Sequence, residues 1–166
     1  MGITAADLMT KQVIKLTPEM NLVEMDTVLM KRGVSGAPVV ERQRLVGVAS
    51  QVDIIRAVWQ GHHEAHQHAP YYSSLYPIPL SAIEYMSKDS PTLSNLLVEQ
   101  KVRDIMTSDP LVAHPDDPIE SIAERMVGDQ IHRLPIVEPD TGDLVGIISS
   151  LDLVRAISIH GLAEVF

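Results

Sequence analysis

Two short segments of the sequence place a glycine, a serine and a carboxylate at matching positions. They read Gly47-Val-Ala-Ser-Gln-Val-Asp53 and Gly146-Ile-Ile-Ser-Ser-Leu-Asp152. Each begins as an apolar, β-branched run typical of a buried strand and then passes into a helix through a Ser-x-x-Asp step. A helix N-terminus attracts anions such as phosphate, and a carboxylate beside it can accept hydrogen bonds from a ribose diol. The chemistry that these segments favour is therefore nucleotide binding.

The Ser-x-x-Asp step also has a purely structural interpretation. In a capping box, a hydroxyl at the N-cap and an acid three residues later satisfy free backbone N–H groups of the first helical turn. Ser50 with Asp53, and Ser149 with Asp152, meet that description. The two interpretations are compatible, and the occurrence of the same pair twice favours a functional role.

The two segments belong to an internal repeat that covers most of the chain. Asp7-Leu-Met-Thr10 matches Asp104-Ile-Met-Thr107, a shift of 97 from position 7 to position 104. After a turn sequence at 138–143 the shift becomes 99, from Asp53 to Asp152. A repeat of this length indicates a duplicated domain. We expect a first domain at 1–60, an inserted linker rich in His, Tyr and Pro at 61–96, and a second domain at 97–166.

The linked motifs resemble the cystathionine-β-synthase (CBS) domain, present here as a tandem pair. The resemblance rests on D-[LI]-M-T, an apolar-Pro-[VI]-V strand and G-h-x-S-x-x-D, which occur in this order in both copies. It implies a mixed α/β (α+β) fold of two β-α-β-β-α units packed about a pseudo-two-fold axis. It also implies adenosyl-ligand sites in the clefts between the units, and a homodimer, since CBS pairs commonly associate.

The resemblance assigns ligand contacts to particular residues. In such domains the Ser and Asp of the last motif contact phosphate and ribose, backbone around the apolar-Pro step contacts the base, and a threonine of the first motif lies near the ligand. Copy two has His132-Arg133 before its proline step where copy one has Ser35-Gly36, so we expect copy two to supply the phosphate contacts. The implied ligand-binding residues are Thr10, Ala37, Pro38, Ser50, Asp53, Thr107, His132, Arg133, Leu134, Pro135, Ser149 and Asp152.

The elements that position these residues follow from local patterns. Thr4 is expected to cap a short lead-in helix, and Thr17-Pro18-Glu19 predicts the start of the first long helix, which runs to Arg32. Gly128 predicts an early end of the matching helix in copy two, and Ser94 or Asn95 is expected to cap a helix in the linker. Strands are predicted at 37–41, 44–50, 134–138 and 143–149, with helices after Ser50 and from Leu151, and a short capped helix at 81–86.

The first long helix carries extra apolar residues in copy one. One explanation is that the linker covers this face, and the other is a symmetric contact in a homodimer. The residues concerned are Met20, Val23 and Val28, where copy two has Asp117, Glu120 and Arg125.

Composition argues against several classes of protein. A net charge of −9 disfavours nucleic acid as a partner, and the absence of cysteine excludes disulfides and thiolate chemistry. The sequence shows no signal peptide and no apolar run of spanning length, so we expect a cytoplasmic protein without a membrane partner. His62 and His66 have the i, i+4 spacing of a metal pair, but we expect a solvated polar loop and no metal.

No nucleophile with a base at a recognisable spacing and no phosphate-binding loop is present, so we expect no enzyme. We expect a regulatory sensor that binds AMP, ADP, ATP or S-adenosylmethionine and transmits this to an unidentified partner protein. The alternative is a structural dimerisation module in which the Ser-x-x-Asp steps act only as caps.

Overall fold

The computed structural model describes residues 2–62 and 91–160 and shows the mixed α/β fold that the motifs predict. The predicted helix at 81–86 lies outside the described residues. In chain order the elements are α1 (Ala5–Leu8), α2 (Leu22–Arg32), β1 (Gly36–Glu41), β2 (Arg44–Ser50), α3 (Gln51–His62), α4 (Pro91–Glu99), α5 (Val102–Ile105), β3 (Thr107–Ser108), α6 (Ile119–Gly128), β4 (Arg133–Val137), β5 (Leu144–Ser149) and α7 (Ser150–His160).

The chain forms two compact units that are not continuous in sequence. Unit 1 consists of Met1–Val13, Arg42–Leu45 and Pro110–Phe166, and unit 2 of Ile14–Glu41 and Val46–Asp109. Each unit therefore combines the main helices and strands of one repeat with the D-[LI]-M-T segment of the other. The repeats 1–60 and 97–166 describe sequence similarity, whereas the units describe which residues pack together.

Unit 1 is built on the antiparallel pair β4 and β5, in which Leu134 lies opposite Ile148. Thr10 extends this pair, because its N–H donates to the Ile147 carbonyl at 2.9 Å and its own carbonyl accepts from the Ile147 N–H at 3.1 Å. The core includes Ala5 of α1, which is fully buried. The other fully buried members are Ala113, Ile119, Ile122, Leu134, Ile136 and Ile148.

Unit 2 contains a three-stranded sheet in the order β1-β2-β3. The short strand β3 pairs with β2 in antiparallel register, with Thr107 opposite Val48. Leu97 of α4 is buried in the core of this unit, and α4 packs against α2. The described end of the linker therefore covers part of the α2 surface. Val23 and Val28 of α2, and Met20 just before it, are partly buried against the same core.

Two predicted helix starts are wrong. Helix α2 begins at Leu22 because Asn21 is its N-cap: the Glu24 N–H donates to Asn21 Oδ1 and the Asn21 N–H donates to Glu24 Oε2, both at 2.9 Å. The carbonyl of Pro18, which was expected in the first turn, instead accepts a hydrogen bond from the Arg103 N–H at 3.2 Å. Helix α4 begins at Pro91, a residue favoured in the first turn, so neither Ser94 nor Asn95 caps it.

Other predicted helix ends are confirmed. Thr4 caps α1, where its N–H and hydroxyl both donate to Asp7 Oδ2 at 2.9 Å. These hydrogen bonds, the backbone one first, lower the pKa of Asp7 below its ordinary value of 3.8. Helix α2 ends at Arg32 as predicted, followed by Gly33 as its C-cap in the left-handed conformation with φ of 66°, and α6 ends at Gly128 as predicted.

Candidate functional site

The Ser149–Asp152 pair lies where β5 ends and α7 begins. The Ser149 N–H and hydroxyl both donate to Asp152 Oδ2, at 2.8 and 2.6 Å, and the Asp152 N–H donates back to Ser149 Oγ at 3.3 Å. Both residues are partly buried. The arrangement is a reciprocal capping box that holds the carboxylate at the N-terminus of α7.

The Ser50–Asp53 pair repeats the two serine-to-carboxylate hydrogen bonds between β2 and α3. The Ser50 N–H and hydroxyl donate to Asp53 Oδ2 at 2.8 and 2.7 Å. The other oxygen, Asp53 Oδ1, accepts from Arg56 Nη1 at 3.1 Å. The capping interpretation is therefore correct for both copies, and both carboxylates are held in place by local hydrogen bonds.

Capping leaves chemical capacity at each pair. A carboxylate has about four lone-pair positions, of which Oδ2 uses two for the serine hydrogen bonds. The first turn of α7, like that of α3, also presents backbone N–H groups that have no partner within the helix. An oxygen acceptor beside such N–H donors suits a ligand that combines hydroxyl groups with an anionic group.

The glycines before the two pairs have a packing role. A Cβ at Gly146 would lie 2.8 Å from Met9 Cγ and 3.0 Å from Met9 Cβ, and the Met9 sulfur would be closer still. A Cβ at Gly47 would lie 2.8 Å from Met106 Sδ and 2.9 Å from the Thr107 carbonyl oxygen. The methionine of the D-[LI]-M-T motif of the other copy approaches each glycine closely, so the two motifs contact each other across the repeat.

The threonines of the D-[LI]-M-T motif also pair with the strand of the other copy. Thr10 pairs with Ile147, two positions before Ser149, and Thr107 pairs with Val48, two positions before Ser50. Both threonines are exposed. Unit 1 therefore groups Thr10 with the serine and carboxylate of copy two, and unit 2 groups Thr107 with those of copy one.

The residues of the two proline steps are buried. Ala37 and Pro38 on β1, like Leu134 and Pro135 on β4, have side chains in the cores of their units. The Pro38 carbonyl accepts from the Leu16 N–H at 2.9 Å, and the Pro135 carbonyl accepts from the Ala113 N–H at 3.0 Å. Only backbone at these steps can contact a ligand, and each of the two proline carbonyls already accepts one hydrogen bond.

His132 and Arg133 lie just before β4 and at its first residue, and both are exposed. The His132 carbonyl accepts from the Ser150 N–H at 3.0 Å, which ties the segment before β4 to the start of α7. This hydrogen bond places the predicted phosphate-binding residues on the same unit as Ser149 and Asp152.

One polar pair was not predicted from the sequence. Gln51, the first residue of α3, donates from Nε2 to Asp26 Oδ1 of α2 at 3.0 Å. Gln51 is 5% exposed and Asp26 is 8% exposed. The only available signal was an acid at a position of α2 where the matching residue of copy two is Ala123. The pair ties α2 to the helix turn that holds Ser50.

No metal site or membrane-spanning segment is found in the described part of the chain. Residues 2–62 and 91–160 contain no cluster of His, Cys, Asp and Glu that could hold a metal ion. The candidate pair His62 and His66 is not tested, because the His62 side chain and the whole of His66 lie outside the described residues. In the same ranges, no helix has both the length and the apolar character needed to cross a bilayer.

A family model described as CBS domain matches residues 5–60 and 102–159. Among curated proteins, the chain is similar to an uncharacterised protein of Methanocaldococcus jannaschii, with 33% identity over 152 residues. That alignment covers 91% of this chain and 89% of the relative. Both copies of the repeat are therefore included in the similarity.

Solved structures of two proteins share this fold. The CBS-pair protein CBSX2 of Arabidopsis thaliana, in complex with AMP, has a TM-score of 0.69 and 25% identity, covering 96% of this chain and 99% of that one. A CBS domain protein of Pyrobaculum aerophilum, complexed with AMP, has a TM-score of 0.65 and 25% identity, covering 97% and 99%. These structures support the fold seen here.

Proposed function

The chain belongs to the CBS domain family, and from this membership we propose that it is a cytoplasmic, non-enzymatic sensor of an adenosyl ligand. The observation that carries the proposal is the duplicated serine–carboxylate pair at the N-termini of α3 and α7. Each pair holds an oxygen acceptor at the N-terminus of a helix, and a carboxylate beside a helix N-terminus is an arrangement that suits a ribose and a phosphate together.

AMP is the first candidate among the adenosyl ligands. Two relatives of the same fold, each 25% identical to this chain, were solved in complex with AMP. ADP, ATP and S-adenosylmethionine share the adenosine moiety and remain in the proposal as competitors. The order among them depends on how much anionic charge the site accepts.

Each predicted residue has a role in this proposal. Asp53 and Asp152 accept hydrogen bonds from ribose hydroxyls, and Ser50, Ser149 and the first helical turns contact phosphate. The exposed threonines Thr10 and Thr107 lie beside these groups, two positions along the neighbouring strand. The exposed His132 and Arg133 add charge for a phosphate, and backbone at 37–38 and 134–135 contacts the base.

Sensing requires that the ligand bind one arrangement of the protein more tightly than another. We propose that a partner protein recognises this difference. The alternative function, a dimerisation module without a ligand, is favoured by the capping hydrogen bonds of both serine–carboxylate pairs, which form a reciprocal capping box in copy two and give both pairs a structural role.

Isothermal titration of the purified protein with AMP, ADP, ATP and S-adenosylmethionine distinguishes the two functions. The sensor proposal expects saturable, micromolar binding of at least one of the four. Absence of binding by all four, in protein shown to be folded and free of bound nucleotide, would support the dimerisation module instead.

We also propose a homodimer, whose contact surface lies on α6 and α7. Val127, Leu151 and Val154 are 79%, 65% and 60% exposed, which is unusual for large apolar side chains on helices. Val23 and Val28 of α2, and Met20 just before it, are less suitable, because they are partly buried in unit 2. Sedimentation of the Leu151→Glu, Val154→Glu double variant as a monomer, against a dimeric wild type, is the expected result.

A further inference from the structure

The two serine–carboxylate pairs differ at the oxygen that capping leaves over. In both copies Oδ2 of the aspartate accepts the serine N–H and hydroxyl. A ligand hydroxyl must therefore be accepted mainly by Oδ1. The environment of Oδ1 decides how readily each copy accepts a ribose.

In copy one, Asp53 Oδ1 is already paired. Arg56 lies one turn along α3 and donates from Nη1 to this oxygen at 3.1 Å. The Asp53 side chain is 12% exposed and the Arg56 side chain is 58% exposed, so the arginine is the more accessible member of the pair. A ribose that approaches Asp53 must displace the guanidinium or share the oxygen with it.

In copy two, the matching arginine does not make this contact. Arg155 occupies the same position relative to Asp152 and is exposed. Across residues 2–62 and 91–160, no side chain or backbone N–H donates to Asp152 Oδ1, and Arg155 forms no ion pair with Asp152. The same sequence pattern thus gives a carboxylate whose Oδ1 is paired with an arginine in copy one, and one whose Oδ1 has no donor among the described residues in copy two.

We infer that the two copies are unequal ligand sites, with Asp152 as the principal ribose acceptor and Arg56 as a residue that weakens ribose binding at Asp53. This inference rests on the proposed function, since it concerns the same ligand. An exposed pair of this kind contributes little free energy, so its removal should strengthen binding at copy one by about two- to fivefold.

Titration with AMP and with 2′-deoxy-AMP tests the inference. Wild-type protein is expected to show a tighter and a weaker AMP site, and Asp152→Asn should remove the tighter one. Arg56→Gln should lower the Kd of the weaker site by about two- to fivefold, because Oδ1 of Asp53 is then free. This gain should be much smaller for 2′-deoxy-AMP, which lacks one hydroxyl of the diol.

Arg155→Gln is the matched control. It removes the same charge from the same position of copy two, where no pair with Asp152 exists, and should leave both affinities unchanged. An Arg56→Gln variant with unchanged or weaker AMP binding, or loss of the tighter site in Asp53→Asn but not in Asp152→Asn, would overturn the inference. Absence of AMP binding by the wild type would instead count against the proposed function.

Discussion

Substituting Gly146 by alanine should destabilise the protein, although a Gly→Ala change in a strand of ordinary backbone conformation usually does the opposite. Gly146 is not in the left-handed region, so alanine can adopt its φ, and the loss of unfolded-state freedom alone would stabilise by about 0.4–1 kcal/mol. The new methyl group, however, would lie 2.8 Å from Met9 Cγ and 3.0 Å from Met9 Cβ. Overpacking of this kind costs about 1–3 kcal/mol.

The net expectation for Gly146→Ala is a loss of about 1–2 kcal/mol, or a fall of about 2–8 °C in Tm. Differential scanning calorimetry measures this change. Met9→Ala should recover much of the loss when combined with Gly146→Ala, because it removes Sδ and Cγ. Met106→Ala should recover less of the loss caused by Gly47→Ala, because the Thr107 carbonyl oxygen, at 2.9 Å, is backbone and cannot move away.

Gly128 provides the control for this series. It is the last residue of α6, and a Cβ there would meet nothing within 4 Å. Gly128→Ala should therefore stabilise by up to about 1 kcal/mol. The reasoning would be refuted by a Gly146→Ala variant that is as stable as Gly128→Ala, or by additive effects of Gly146→Ala and Met9→Ala.

Three further outcomes are expected. Asp26→Ala should lower the free energy of unfolding, measured in urea, by about 1–3 kcal/mol, because it leaves the buried Gln51 Nε2 without its acceptor. Asp26→Leu combined with Gln51→Met removes both polar groups and should lower it less. Removal of residues 1–13 should abolish folding of unit 1, because Ala5 and Thr10 complete its core and sheet. The expected readout is loss of hydrogen-exchange protection in α6 and α7. Full protection there would contradict the assignment of residues 1–13 to unit 1. The Asp7 carboxylate has a lowered pKa, so its stabilising effect is present above the unfolded pKa near 3.8 and is lost as pH falls through the lower folded value. Wild type and Asp7→Asn should therefore approach the same Tm at low pH, and a gap that widens on acidification would be inconsistent with this.

The sequence predicted β1, β2, β4, β5 and the serine–carboxylate pairs well, because these depend on local patterns, whereas it missed the short strand β3. The start of α2 was missed since two N-terminal signals compete: Thr17-Pro18-Glu19 and the Asn21–Glu24 capping box. The helix begins after Asn21 because the segment before it makes backbone hydrogen bonds with α5. One of these runs from the Val102 N–H to the Met20 carbonyl at 2.8 Å. Such long-range pairing is not visible in a local pattern.

The packing of each D-[LI]-M-T segment with the strands of the other copy could not be predicted from the repeat itself. Asp7-Leu-Met-Thr10 and Asp104-Ile-Met-Thr107 are nearly identical, so either segment could pair with either sheet. Likewise, Arg56 and Arg155 occupy matching positions, and only their side-chain conformations distinguish a paired carboxylate from an open one. Near-symmetric sequences specify the shared fold, whereas these differences depend on packing.

The most direct test of nucleotide binding at these pairs separates ligand contact from capping. Tm is measured with and without saturating AMP for the wild type, Asp152→Asn and Glu24→Gln. The last variant alters the capping acid of α2 and leaves both serine–carboxylate pairs unchanged in sequence. Binding to the folded state should raise the Tm of the wild type and of Glu24→Gln. The free energy of unfolding should increase by about 2.7 kcal/mol when AMP is 100 times the Kd. Asp152→Asn should lose most of this rise. An equal rise in all three proteins, or none in the wild type, would contradict the account.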